Sequence, residues 1–254
     1  MAEVANLFVL ERYHHISDYL KQHGRATVEE LASSLFVSPA TIRRDLAAMQ
    51  KLGMLKRTHG GAIHVEAGEE VSIFIRMESE GEEKEETANI ALNHIPPFNS
   101  VFIDNSSSCL ALAERLDFSY KTVVTNGLQL AQKLVNRKNV DIILLGGTLH
   151  PNTGSTNGAF ALNQLNNFRF DLMLCGAASI LSDGSYERSV ETSEIKKAAL
   201  SRSDKKMLLV GKSKFSLKFL YRVCPLSEYD IICTNSKEPL IEELKSKGIK
   251  IFNK

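Results

Sequence analysis

From residue 99 onward, short continuous apolar runs alternate with helix-patterned stretches, and this alternation restricts the fold more than any other feature. The runs are "SVFID", "TVVT", "DIILLGG", "FDLMLCGA", "KKMLLVG" and "YDIICT"; among the stretches between and after them are "SCLALAERL", "LQLAQKLV", "ETSEIKKAAL" and "PLIEELKSKG". Strands that are apolar at every position are buried on both faces, and strands separated by helices run parallel. An α/β region is therefore expected: a mainly parallel sheet covered on both sides. No internal repeat is found.

The N-terminal quarter has a different pattern. "LFVLERYHHISDYLKQHG" places Val9, Tyr13, Ile16 and Leu20 at helical spacing, and Gly24 suits the residue just past a helix. "TVEELASSLF" opens with Thr27 and carries Glu30 three places on, a capping box. After "VS", Ser38 caps a third helix with Pro39 at its first position, and Gly53 ends it. "MLKRTHGGAIHV" then suggests a hairpin turned at Gly60-Gly61. The expected order is an α+β unit over 1–65, a linker over 66–80 and the α/β unit over 81–254. The second glutamate-rich stretch, "ESEGEEKEETANIALNHIPP", is predicted to become a helix through Ile90, Ala91 and Ile95, stopped by Pro96-Pro97, with its charges on a solvated face.

The net charge of +1 over 254 residues does not mark a nucleic-acid binder, so such a function has to come from a local patch. The opening "MAEVANLFVLERYHH" lacks a basic segment followed by a long apolar one, so no signal peptide is expected. No apolar run approaches the ~20 residues that span a bilayer. Cys109, Cys175, Cys224 and Cys233 include no C-x-x-C pair and have no histidine cluster beside them, so they are read as buried thiols. These features fit a cytoplasmic protein with no metal and no cofactor.

The third helix, "SPATIRRDLAAM", raises the question of function. On a 3.6-residue wheel Ile42, Leu46 and Met49 share one face, while Ala40, Thr41, Arg44 and Ala47 point away and Arg43 lies at the flank. The outward face is slim and carries a hydroxyl and a guanidinium. A helix that enters the DNA major groove needs that profile, since arginine bonds a guanine edge bidentately. Two arginines alone fit an ordinary helical bundle better. The short turn, the caps and the basic hairpin together point to a winged helix-turn-helix. Thr27, Ser38, Ala40, Thr41, Arg43, Arg44, Lys51, Lys56, Arg57 and His59 are its candidate DNA-contacting residues, with Lys56, Arg57 and His59 near the wing and its phosphates.

The stretch "VSPATIRRDLAAMQKLGMLKRTHGGA" resembles the N-terminal domain of DeoR-type bacterial transcription regulators, with Ser38, Thr41, Ile42, Arg43, Arg44, Asp45, Leu46, Leu52, Gly53, Arg57, His59, Gly60 and Gly61 in place. The resemblance extends over nearly the whole chain. It implies operator binding, usually repression, and a C-terminal sensor related in fold to ribose-5-phosphate isomerase and coenzyme A transferases. Such sensors commonly respond to phosphorylated sugar intermediates.

The sensor's candidate loops follow its strands, where open parallel sheets bind ligands. After "VFID", the loop of Asp104, Asn105, Ser106, Ser107 and Ser108 leads into a helix; taken alone, its serines read as caps. The resemblance implies an effector site there, with Thr125-Asn126, Gly146-Gly147, Gly176, Asp183-Gly184, Glu191, Glu194, Lys196 and Lys214-Phe215. His150 and Arg188 also lie on candidate pocket loops. There are departures: no glycine near Asn105 or Ser106, Gly211 where an acidic residue commonly precedes Ser-Lys-Phe, and "SYERSVET" in place of a Thr-rich segment. The expected protein is a homo-oligomeric regulator that binds operator double-stranded DNA and a phosphorylated sugar. The alternative is a sugar-phosphate isomerase-like enzyme with an accessory DNA-binding domain, using Asp104, Glu191, Glu194 and Lys214 as acid–base groups.

Overall fold

The computed structural model describes residues 2–51, 54–64, 73, 81–215 and 217–253, with the backbone alone at 2–8, 10, 51 and 64. The chain divides into two compact units, Met1–Ile75 and Arg76–Lys254. The expected linker over 66–80 lies outside the described residues except for Ile73, and so does the stop at Gly53.

The first unit contains helices α1 (Ala2–His23), α2 (Val28–Leu35) and α3 (Pro39–Lys51) and strands β1 (Arg25–Thr27), β2 (Leu55–Thr58) and β3 (Gly61–His64). Tyr13, Ile16 and Leu20 of α1, Leu31 of α2, and Ile42, Leu46 and Met49 of α3 close one core. The three strands form an antiparallel sheet in the order β1-β3-β2. Gly24 ends α1 at φ 75°, with its N–H on the Leu20 carbonyl. The capping box forms as expected: the Glu30 N–H donates to Thr27 Oγ1 at 3.1 Å and the Thr27 N–H donates to Glu30 Oε2 at 2.7 Å. The hairpin turn is at His59-Gly60 rather than at the glycine pair, because Thr58 pairs with Gly61. Gly61 is already in β3, where a Cβ would run into the Ala26 carbonyl of β1. That glycine admits the third strand.

The second unit opens with α4 (Gly81–Leu92). There follow β4 (Ser100–Ile103), α5 (Ser107–Ala113), β5 (Lys121–Thr125), α6 (Leu128–Leu134), β6 (Val140–Leu144), a hairpin of β7 (Thr148–His150) and β8 (Ser155–Asn157), and α7 (Ala159–Leu165). The chain continues through β9 (Phe170–Cys175), β10 (Ser179–Leu181), β11 (Gly184–Glu187), α8 (Val190–Ser201), β12 (Ser203–Leu209), β13 (Tyr221–Cys224), β14 (Ile231–Cys233), α9 (Pro239–Ser246) and β15 (Ile251–Phe252). All six apolar runs are strands of one sheet, ordered β15-β14-β12-β9-β4-β5-β6, and its pairings are parallel throughout.

Within β4, Val101 and Ile103 face a core with α4, α5 and α6, while Phe102 faces a second core with α7, α8 and α9. Each strand feeds both cores because successive side chains point to opposite faces. Strand order reverses between β4 and β9, so the crevice beyond their carboxyl ends is the switch point of the sheet. The four cysteines are buried.

Two expectations for α4 are corrected. The helix ends at Leu92, short of Ile95 and the prolines. Its acidic run is not wholly solvated: Glu83 and Lys84 are buried. The three-stranded sheet β10-β11-β13, the β7–β8 hairpin and α7 were not anticipated from sequence.

Candidate nucleic-acid interface and sensor site

In the first unit, local chemistry sets the start of α3. The Ser38 hydroxyl caps α3 by accepting the Thr41 N–H at 3.2 Å, and the two hydroxyls bond at 2.9 Å. Pro39 loses nothing at the first helical position. Ser38, Ala40, Arg43 and Arg44 are exposed, and Thr41 is half-buried. Arg43 leans toward Glu29 of α2 at 3.4 Å, while Arg44 stands on the open face. Thr27 is exposed but its hydroxyl is engaged as the α2 cap. Lys56, Arg57 and His59 are exposed on the wing, which the Arg57 N–H ties to Gln50 of α3 at 2.8 Å. Lys51 closes α3, and its side chain lies outside the described residues.

Sequence reasoning missed the group that holds the helix in place. Asp45 is buried and takes a fork from Arg12 of α1, with Nε at 2.7 Å and Nη2 at 3.1 Å. The bond to Asp45 raises the Arg12 pKa. Asp45 belongs to the signature but faces inward, so its role is to seat α3 on α1.

The sensor loops meet at the switch point. A Cβ on Gly127, after β5, would touch Asn105; one on Gly176, after β9, would collide with Ser106. These two glycines let the flanking loops close on Asn105 and Ser106. Asp104 is buried beneath them. Its carboxylate accepts the Ser106 N–H at 2.9 Å, the Gly176 N–H at 3.0 Å and the Lys196 ammonium at 3.0 Å. Lys196 also donates to the Gly176 carbonyl at 2.7 Å and to Glu187. Burial alone would raise the Asp104 carboxyl; the Lys196 charge and the Ser106 bonds outweigh it and hold it below the usual carboxylate range. Burial would likewise lower Lys196, but Asp104 and Glu187 push it above its ordinary value. Asp104 and Lys196 are thus both charged at neutral pH, and the three groups are bonded within the protein. Glu187, which reasoning from sequence passed over, is brought to Asp104 only by the β10–β11 hairpin.

The remaining candidates separate into groups. Ser106 Oγ accepts the Cys109 N–H at 3.3 Å and caps α5; Ser107 is buried and Ser108 half-buried. Asn126 is buried under the β7–β8 hairpin. Its Nδ2 bonds the Thr156 carbonyl at 3.3 Å and Asn157 Oδ1 at 3.2 Å, and its own Oδ1 has no partner among the described residues. Gly146 and Gly147 are exposed, the latter at φ 145° against the Asn157 carbonyl. Asp183 and Gly184 belong to the far turn of the β10–β11 hairpin, where Tyr186 and Arg222 take up the Asp183 carboxylate. Glu191 is exposed in the first turn of α8, and Glu194 pairs with Lys197 at 3.0 Å. Lys214 lies on a short 3-10 turn, Lys212–Phe215, beyond the end of β12. Arg188 stacks on Phe219 at 4.3 Å.

Comparison with known proteins agrees with this division. Residues 12–67 match the DeoR-like helix-turn-helix domain and residues 79–236 match the DeoR C-terminal sensor domain. The chain is 30% identical to the HTH-type transcriptional regulator GolR of Listeria innocua, over 96% of this chain and 98% of that one. It is 32% identical to the glycerol-3-phosphate regulon repressor of Escherichia coli, over 91% and 92%. It is 30% identical to the L-fucose operon activator of Escherichia coli, over 89% and 95%. No helix among the described residues is long and apolar enough to cross a membrane. With a winged helix-turn-helix ahead of a parallel-sheet sensor, and both halves matched in order, the chain belongs to the DeoR family of DNA-binding transcription regulators.

Proposed function

We propose that this regulator represses an operon of sugar or carbohydrate metabolism and is controlled by a phosphorylated sugar bound at the switch point of the sensor sheet. The supporting observation is the Asp104–Ser108 loop. It lies between two glycines that let neighbouring loops close on it, and the charge of Asp104 is neutralised from within by Lys196 and two N–H groups. Ser107 and Ser108 and the loop amides supply donors for a phosphate, and Lys214 supplies a cation from beyond the end of β12, the strand on the far side of β9. Asp104 shapes the loop and does not touch the anion. Asn105, Asn126, Gly146 and Gly147 complete the sugar side; Asp183, Gly184 and Glu191 are its outer members. The relatives' names, one a glycerol-3-phosphate regulon repressor, favour the same ligand class.

DNA is read by α3, with Arg44 and Thr41 at base edges and Ser38, Thr27, Lys51, Lys56, Arg57 and His59 on the backbone. One winged helix reads a half-site, so the working form is a homodimer or higher homo-oligomer.

Selection of duplexes from a random pool, followed by titration with and without glycerol 3-phosphate and hexose phosphates, tests this reading. Ser107→Glu puts a negative charge where the phosphate sits, and is expected to abolish the response while DNA binding and folding persist. A Ser107→Glu protein that responds as the parent does removes the phosphate from this loop. Recovery of no preferred sequence removes the regulator's operator.

A further inference from the structure

Glu83 is out of place in an otherwise solvated acidic run. Its neighbours Glu82 and Glu85 are exposed, yet Glu83 is only 8% exposed. Burying a carboxylate is costly unless it is bonded. Glu83 Oε1 accepts the Ser213 N–H at 2.9 Å, across 130 residues of sequence. Its side chain lies over Gly211, where any Cβ would collide with the carboxylate. Gly211 does not need to be glycine for its backbone, since its φ lies outside the left-handed region. The missing side chain therefore makes room for Glu83. A second bond runs the same way: Asn235 Oδ1 accepts the Lys212 N–H at 2.9 Å, and Asn235 Nδ2 donates to Glu86 at 3.0 Å. Two consecutive N–H groups of the Lys212–Phe215 turn are thus held by α4, one directly and one through Asn235.

We propose that Glu83 is a positioning residue that fastens the Lys212–Phe215 turn, and with it Lys214, to helix α4, and that this bond carries the effector's presence out of the sensor site. The inference rests on the assignment of Lys214 to the effector site. In a relative with an acid at the position of Gly211, the turn would carry its own carboxylate. Here the carboxylate comes from α4, which in sequence is the first described helix after the boundary between the two units. A ligand that draws the Lys214 backbone with it displaces a turn whose Ser213 N–H is bonded to Glu83, and so loads that bond. A ligand shifts DNA affinity only through a difference between two arrangements, and this bond is a place where the arrangements can differ.

The test compares the full-length parent with Glu83→Ala, Glu83→Gln and the double variant Glu83→Ala/Gly211→Asp. The probes are glycerol 3-phosphate, glucose 6-phosphate and fructose 1-phosphate. Calorimetry gives probe affinity, and duplex titration with and without probe gives the response. If the parent response falls in the usual range of about 5- to 150-fold, Glu83→Ala is expected to reduce it to about twofold or less while still binding probe. Glu83→Gln keeps the acceptor and should respond as the parent does. The double variant returns a carboxylate to the turn without the link to α4, so it should bind probe and still not respond. A full parental response in Glu83→Ala or in the double variant overturns the proposal, as does loss of response in Glu83→Gln. If no probe alters DNA affinity in the parent, the effector reading itself fails. That outcome is distinct, because it appears before any substitution is made.

Discussion

Among the described residues of the DNA-binding unit, Arg12 and Asp45 form a part-buried ion pair, and the arginine side chain keeps 17% of its surface in water. In the sensor there is a triad of two carboxylates on one ammonium, with Asp104, Glu187 and Lys196 at 1%, 6% and 5%. The pair seats a helix whose working groups are all on the other side. The triad lies directly under the loop assigned to the ligand. In the first unit the buried pair is thus apart from the exposed arginines proposed to meet DNA, whereas in the second the buried triad underlies the loop proposed to bind the effector.

Lys196→Met is the largest way to break that comparison. It leaves two carboxylates buried without a cation, a loss of the order of 3–5 kcal/mol. The pH dependence distinguishes this cause from a packing defect. In the parent, the depressed Asp104 contributes stability above its unfolded value of about 3.9, lost as pH falls through the lower folded value. The raised Lys196 contributes below its unfolded value of about 10.4, and that contribution is lost only as pH rises through the higher folded value. Asp104 and Lys196 thus add no slope between roughly pH 5 and 9. Without Lys196 burial is left to raise the Asp104 carboxyl in the folded state, so the variant should regain stability as pH falls from 7 toward 5. Urea midpoints across that range decide: a deficit that is the same at every pH would mean that the charge balance is not what Lys196 supplies.

In the first unit the corresponding substitution should separate function from fold. Arg44 is exposed on the open face of α3. Arg44→Ala should leave the unfolding midpoint within about 0.5 kcal/mol of the parent, as surface changes do. It should nonetheless cost roughly 1–3 kcal/mol in specific operator binding. Titration against selected and scrambled duplexes measures the second quantity. Equal losses on both would make Arg44 a phosphate contact and leave base reading to Thr41 and Arg43.

The sequence was legible in proportion to how far local pattern decided the outcome. All six apolar runs became strands because a strand buried on both faces needs no other signal. The caps at Thr27 and Ser38 formed because they involve neighbours three residues away. What escaped was chosen by distant partners. "TGSTN" reads as a polar loop, yet Ser155, Thr156 and Asn157 are buried as β8, closed over Asn126. Glu83 reads as one more solvated acid and is buried by a turn 130 residues away. Asp104 and Lys196 carry the family pattern, but Glu187 joins them only because a hairpin of uneven polarity returns to the switch point. Asp45 is in the signature and on the helix, yet its direction depends on Arg12, 33 residues earlier.

The smallest expected effect concerns Phe36, at the turn between α2 and α3. It adopts φ 53° and ψ 39° and is 95% exposed. A left-handed conformation costs an ordinary L-residue about 1–2 kcal/mol, and asparagine tolerates it because its short side chain bonds locally. Phe36 has almost no buried surface to lose, so Phe36→Asn should stabilise the first unit by about 0.5–1 kcal/mol. The backbone bond from the Phe36 N–H to the Ala32 carbonyl does not depend on the side chain, so the turn should keep its geometry. Denaturant midpoints with unchanged slope, together with operator titration, read both consequences. A gain in stability at constant DNA affinity means that the phenylalanine is a tolerated strain in a unit whose fold and function are separable. A gain accompanied by weaker operator binding would place Phe36 in the interface, and the separation between the two units would then be less complete than the Arg12–Asp45 pair and the Asp104–Lys196–Glu187 triad imply.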